Sequence, residues 1–123
     1  MRRWAGCGTR AVATGWRPVD GAAEAQRLAN TGMLVVAAFE NPDRHRPGHI
    51  AVIRPSLKTA AELAAEGPQE TQAGETNALS TPVAVGFRHH RGAWEPGGAG
   101  GIRYYAHPIE WSRIPALGDR RGG

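Results

Sequence analysis

Nucleophilic and acid–base chemistry has few residues to draw on in this chain: one cysteine, Cys7, and five histidines, His45, His49, His89, His90 and His107. His45 and His49 are four apart, a metal-ligand spacing on a helix, but Pro47 and Gly48 break any helix between them. His89, His90 and His107 meet only through folding, and no Cys, Asp or Glu joins them at a ligand spacing, so no metal or other cofactor is expected. The glycines of "GGAGG", residues 97–101, lack a following helix and a Lys-Ser/Thr pair, which makes them a linker rather than a phosphate cradle. The stretch "RPGHIAVIRPS", residues 46–56, is more specific. There His49 opens a short apolar run, directly after Pro47-Gly48 and before Pro55.

A nucleophilic site needs a nucleophile, a base, and a third group that fixes the base. On a strand of period two, His49 shares a face with Ala51 and Ile53, and Gly48 leaves room beside it. Gln72 can accept the proton on the far ring nitrogen, provided that the "TQAG" strand lies beside the "HIAV" strand. A neutral amide stabilises imidazolium less than a carboxylate does. That suits a thiol, because a thiolate–imidazolium pair supplies its own stabilisation. The competing reading of the same two residues is a purely structural hydrogen-bonded pair.

The elements that must position these residues follow from pattern. "DGAAEAQRLANTG" has an acidic N-cap candidate in Asp20, an Ala25-Leu28-Ala29 stripe and an Asn30-Thr31-Gly32 stop, which predicts a short helix over residues 21–30. "MLVVAAF", residues 33–39, is a continuous apolar run and is expected as a strand covered on both faces. Turn chemistry over 41–48 joins it to the strand "HIAVIRP" as an antiparallel hairpin. A helical insert over 57–66, a short strand over 69–75, a loop to about 82, and strands over 83–90 and 102–111 complete the pattern. The segment "RGAWEPGGAGG" between the last two reads as a connector with no packing demand. The expectation is an α+β domain, a short N-terminal helix followed by an antiparallel sheet of four to five strands. Residues 1–18 form an irregular arm, 19–111 the domain and 112–123 a disordered tail.

Bulk properties restrict the partners. With 123 residues, 41% hydrophobic content, 17 Gly and 9 Pro, the chain suits one small core with much loop. Its net charge of +4 favours polyanions, but the Arg residues are scattered rather than clustered, so a dedicated nucleic-acid site is not expected. One cysteine excludes an internal disulfide framework. No apolar run reaches the ~18 residues of a membrane span. "MRRWAGC" has the charges of a secretion signal but not the apolar stretch of roughly 7–15 residues that must follow them.

Taken in order, "LANTGMLVVAAF", "GHIAVIRPS", "PQETQAGETN" and "RYYAH" resemble the papain-like cell-wall amidohydrolases of the NlpC and CHAP type, over about residues 16–107. The sharpest pieces are "GHIAV" at 48–52 and "QAG..N" at 72–77. The resemblance implies a papain-like β half, with His49 as base, Gln72 as orienter and Asn77 shaping the loop after it. It also implies hydrolysis of amide or peptide bonds in cell-wall stem peptides, peptidoglycan as partner, and a cell-envelope or secreted setting. In that pattern the nucleophilic Cys opens a substantial helix. Here Cys7 lies nine residues before Trp16, and "CGTRAVAT" allows two turns at most. Two readings stay open: Cys7 is the nucleophile on a shortened helix, or that helix is missing and the chain is a truncated or degenerate relative. A missing helix would leave apolar sheet surface uncovered and favour self-association. From a different class stands a non-catalytic basic module that binds anionic cell-wall polymer or another polyanion. Trp16, Trp94, Tyr104, Tyr105 and Trp111 serve either sugar stacking or ordinary packing.

Overall fold

The apolar run after the first helix forms the spine of the sheet. The structure, a computed structural model, describes residues 15–113 apart from residues 75 and 99. In chain order the elements are β1 (Arg17–Val19), α1 (Gly21–Asn30), β2 (Leu34–Phe39), β3 (His49–Ile53), α2 (Ala60–Glu66), β4 (Gln69–Gln72), β5 (Ala78–Pro82), α3 (Val83–Gly86) and β6 (Arg103–His107). Single 3-10 turns lie at Pro96–Gly98 and Trp111–Arg113. The six strands form one antiparallel sheet in the order β1-β6-β2-β3-β4-β5. The α+β class and the β2–β3 hairpin therefore stand, while the sheet has six strands rather than four or five.

Each added strand is one that pairing creates and local pattern cannot announce. β1 precedes the helix, where an irregular arm was expected, because β6 offers its free edge to Arg17, Pro18 and Val19. Three residues are too few to show a period, and Pro18 is tolerated because the strand is an edge. β5 lies where a loop was expected; it pairs Gln69 with Pro82 and Gln72 with Ala78, with a bulge between. In the other direction, "VAVGFRHH" is not a strand. Val83 and Phe87 are four apart and both buried, and Phe87 N–H bonds the Val83 carbonyl, so the helical period overrides the β-branched composition. The glycine-rich connector is also packed: Ala93 is fully buried, and its carbonyl accepts from Ile102 N–H at 3.1 Å.

The core lies on one face of the sheet. Val35, Ala37 and Phe39 of β2, Ala51 and Ile53 of β3, and Tyr104 and Ala106 of β6 point into it. Against them pack Ala25, Leu28 and Ala29 of α1 and Val83 of α3. On the opposite face Leu34, Val36 and Ala38 are only half-buried, while Ile50 and Val52 are 61% and 43% exposed. The expectation that β2 is covered on both faces is thus met on one.

α1 ends as its sequence predicts. The N–H groups of Gly32 and Met33 turn back to the carbonyls of Ala29 and Leu28, at 3.1 and 3.3 Å, which closes the helix with a Schellman pattern. At its start Asp20 occupies the N-cap position without a side-chain cap hydrogen bond. α2 is capped fully: Thr59 Oγ1 accepts from Glu62 N–H, and the Glu62 carboxylate accepts from Thr59 N–H.

A single polar side chain ties α1 to the sheet. Gln26, 2% exposed, donates through Nε2 to the Arg54 carbonyl at 2.7 Å, and its Oε1 accepts from Gln69 N–H at 3.0 Å. Asn30, one turn on, extends this clip to both backbone groups of Ser56. Replacing Gln26 by Leu keeps the bulk but takes the side-chain partner from the part-buried Arg54 carbonyl and Gln69 N–H. We expect Gln26→Leu to cost about 3 kcal/mol, seen as a lower urea midpoint at an unchanged slope. Glu24→Gln, which breaks only the exposed Glu24–Arg27 pair, should leave the midpoint in place.

Candidate active site

His49 stands at the first position of β3, opposite Phe39. Its ring lies on the inward face with Ala51 and Ile53, because side chains alternate from the turn onward. Gly48 is needed here for the backbone rather than for space beside the ring. A Cβ at that position would run into the Phe39 carbonyl, so the hairpin closes only over a glycine.

Gln72 is the last residue of β4. The register pairs Val52 with Thr71, so its continuation sets Gln72 across from Ala51 and diagonal to His49 on the same face. The contact is a hydrogen bond of 2.8 Å between His49 Nε2 and Gln72 Oε1. The amide's second bond fixes its sense. Gln72 Nε2 donates to the Thr76 carbonyl at 3.1 Å, and a carbonyl can only accept, so the amide oxygen must face the histidine. His49 Nε2 is therefore the protonated nitrogen and Nδ1 the basic one in the neutral ring. Among the described residues Nδ1 has no hydrogen-bond partner.

The imidazole is held by packing as well. Phe87 meets it edge-on at 4.6 Å between centroids, and His90 stacks on it at 5.0 Å with the planes 7° from parallel. Phe39 and Phe87 in turn back the His90 ring at 6.1 and 6.2 Å. Sequence analysis assigns His90 no role beyond a metal spacing that nothing completes. The Val83, Phe87, His90 spacing of a continuing helical coil was the signal that could have found it. This pair of rings opens on a cleft of about 660 Å³ between the 41–48 turn, the end of β4 and the coil after α3. Arg46, His89, Asn41 and Thr76 also line it, and no carboxylate does among the described residues.

Other predicted candidates are placed elsewhere. Asn77 accepts from Gly74 N–H at 2.8 Å and closes the loop after β4. His107 lies at the far end of β2, opposite Leu34, with its ring against Trp16. His45 sits in the exposed 41–48 turn, and no group of three or more His, Cys, Asp or Glu among the described residues could hold a metal. The aromatic residues do not form one surface: Trp94 and Tyr104 pack with the core, and Trp111 is 61% exposed. Cys7 lies outside the described residues.

One residue of the site escaped the sequence reading altogether. Glu70 shares the inward face of β4 with Gln72 and is fully buried, yet neither carboxyl oxygen has a hydrogen-bond partner among the described residues. Both side chains press on Gly86 of α3, where any Cβ would collide with the oxygens of Glu70 and Gln72. Alternation within "QETQ" already implied that Glu70 faces inward wherever Gln72 does. Burial pushes the Glu70 carboxyl up to about 7. Comparison of the chain with family models, curated proteins and solved structures finds no match.

An acid whose folded value is raised stabilises the fold less once the unfolded chain can ionise. Between about 4.5 and about 7 the folded state holds a proton that the unfolded state has lost, so stability falls as pH rises through that window. Relative to Glu70→Gln, the wild type should lose about 3 kcal/mol across it. Parallel urea titrations of the two proteins at pH 4.5 and 7.5 check this; equal differences at both values would contradict the raised carboxyl.

Proposed function

We propose that His49 and Gln72 are the base and orienter of a cysteine-type amide hydrolase site, of the kind found in papain-like cell-wall amidohydrolases. The observation that carries this reading is the Gln72 amide held by two hydrogen bonds, whose oxygen accepts from His49 Nε2–H and leaves Nδ1 without a partner among the described residues. An amide fixes the tautomer and ring plane without adding charge, which fits a thiol nucleophile that brings its own negative charge. The nucleophile in this reading is Cys7. Its thiolate attacks the carbonyl of an amide or peptide bond in a wall stem peptide, with the proton held on His49 Nδ1. The imidazolium then gives that proton to the leaving amine. Water regenerates the thiolate in the second half of the cycle, with His49 again as base.

A second reading is favoured by the composition of the cleft wall. Arg46, His49, His89 and His90 line it without a carboxylate among the described residues, which suits an anionic wall polymer held without catalysis. The basic balance of the chain as a whole points the same way.

Alkylation of Cys7 by iodoacetamide between pH 5 and 9 separates the two. The catalytic reading expects the reactive thiolate well below about 8.5 in the wild type and a return toward that value in His49→Ala. It further expects His49→Ala to slow release of amines from wall stem peptides by about 10²–10⁴-fold, and Gln72→Ala to slow it less. An ordinary thiol that is indifferent to His49, together with salt-sensitive binding of a teichoic-type polyanion, would leave the binding module.

A further inference from the structure

A buried carboxyl group without a partner needs a reason, because an apolar residue of similar size would be cheaper at the same position. Glu70 is such a group, and its surroundings are specific. It lies two residues before Gln72 on one face of β4, and both side-chain oxygens converge on the space over Gly86. Gln72 Oε1 already accepts from His49 Nε2 and has a second lone pair. The neighbouring elements supply little charge. β5 and α3 carry no titratable residue, and Arg54 after β3 is occupied by the Thr71 hydroxyl and the Leu79 carbonyl. The remaining groups nearby are His49 itself, and Arg88, His89 and His90 in the coil after α3. None of them bonds the Glu70 carboxyl among the described residues.

Resting on the catalytic reading above, we propose that Glu70 is a positioning residue for His49: its protonated carboxyl donates to Gln72 Oε1 and locks the amide in the sense that receives His49 Nε2–H. In that form Gln72 Oε1 accepts twice, Nε2 donates to Thr76, and the histidine has one tautomer available. Loss of the Glu70 proton sets a carboxylate against the amide oxygen. The repulsion favours rotation of the amide, which would turn Nε2 toward Glu70 and take the acceptor away from His49. The site would thus be ordered on the acid side of the Glu70 transition and loosened above it. Burial, which raises the Glu70 carboxyl to about 7, places that transition in the neutral range.

Nuclear magnetic resonance of the full chain tests this without substrate. The side-chain carboxyl carbon of Glu70, the Gln72 side-chain amide and the His49 ring nitrogens are followed from pH 5 to 9, each assigned by its own substitution. The proposal expects the Glu70 carbon and the Gln72 amide to step together with one midpoint near 7. In Glu70→Gln, whose side-chain amide keeps a donor at every pH, the Gln72 signals should stay in the low-pH form throughout. Glu70→Leu removes the donor and the charge together, so the Gln72 step near neutral pH should be lost there as well. A Glu70 carbon that titrates in the ordinary carboxylate range in the wild type would overturn the proposal. So would a Gln72 step that persists unchanged in Glu70→Gln, since it would then follow histidine ionisation alone. Coupling observed in a protein that hydrolyses nothing would sink the catalytic reading and keep the Glu70–Gln72 lock. Hydrolysis without coupling would do the reverse.

Discussion

The polar half of the sheet depends on the Gln26 amide. The chain leaves β3 at Arg54, passes through α2 and re-enters the sheet at Gln69, and the Arg54 N–H to Gln69 carbonyl bond closes that excursion at 2.8 Å. Gln26 fits between the same two residues, taking the opposite pair of backbone groups. The register of β4 on β3 is thereby clamped from the helix side. A slip of one residue would move Gln72 to the outer face and leave His49 facing a threonine or an alanine. A glutamine in the middle of α1 therefore decides whether the histidine meets an amide at all.

Given that register, the site is oriented by an amide and by ring packing. An amide, a stacked imidazole and a phenyl edge restrain His49, and no carboxylate touches it among the described residues. Such an arrangement fixes a tautomer and a ring plane while leaving the charge of the pair to whatever approaches Nδ1. Arg46 supplies a cation at the mouth of the cleft instead, with His89 also lining it. The same wall serves a thiolate, an anionic ligand, or a substrate that carries a carboxylate, which is why geometry at His49 and not charge separates the two functional readings.

What the sequence made legible was local. The Schellman stop at Gly32, the apolar strand through Val35 and Val36, and the Pro47-Gly48 turn each follow from one short pattern, and each is present. The pairing of His49 with Gln72 was legible because both lie on strands whose faces are set by alternation. β1 and β5 were not, since three residues beside Pro18 and a polar stretch ending at Pro82 become strands only when β6 and β4 offer an edge. α3 was misread because Val83, Val85 and Phe87 have strand composition, and only the burial of Val83 and Phe87 reveals a period of four.

Two buried polar side chains, close in the fold, obey opposite rules. Gln26 is satisfied on every side, donating twice and accepting once, and its role ends with the architecture. Glu70 is equally buried and has no hydrogen bond among the described residues, and α3 has to present a glycine to accommodate it. A residue that serves packing alone would not be an unpaired acid set opposite Ile53 and against a glycine. Local rules are broken in folded proteins chiefly where function sets the requirement. The break here lies beside the amide that holds His49: Glu70 and Gln72 share one face of β4, and the oxygens of both meet the same glycine of α3.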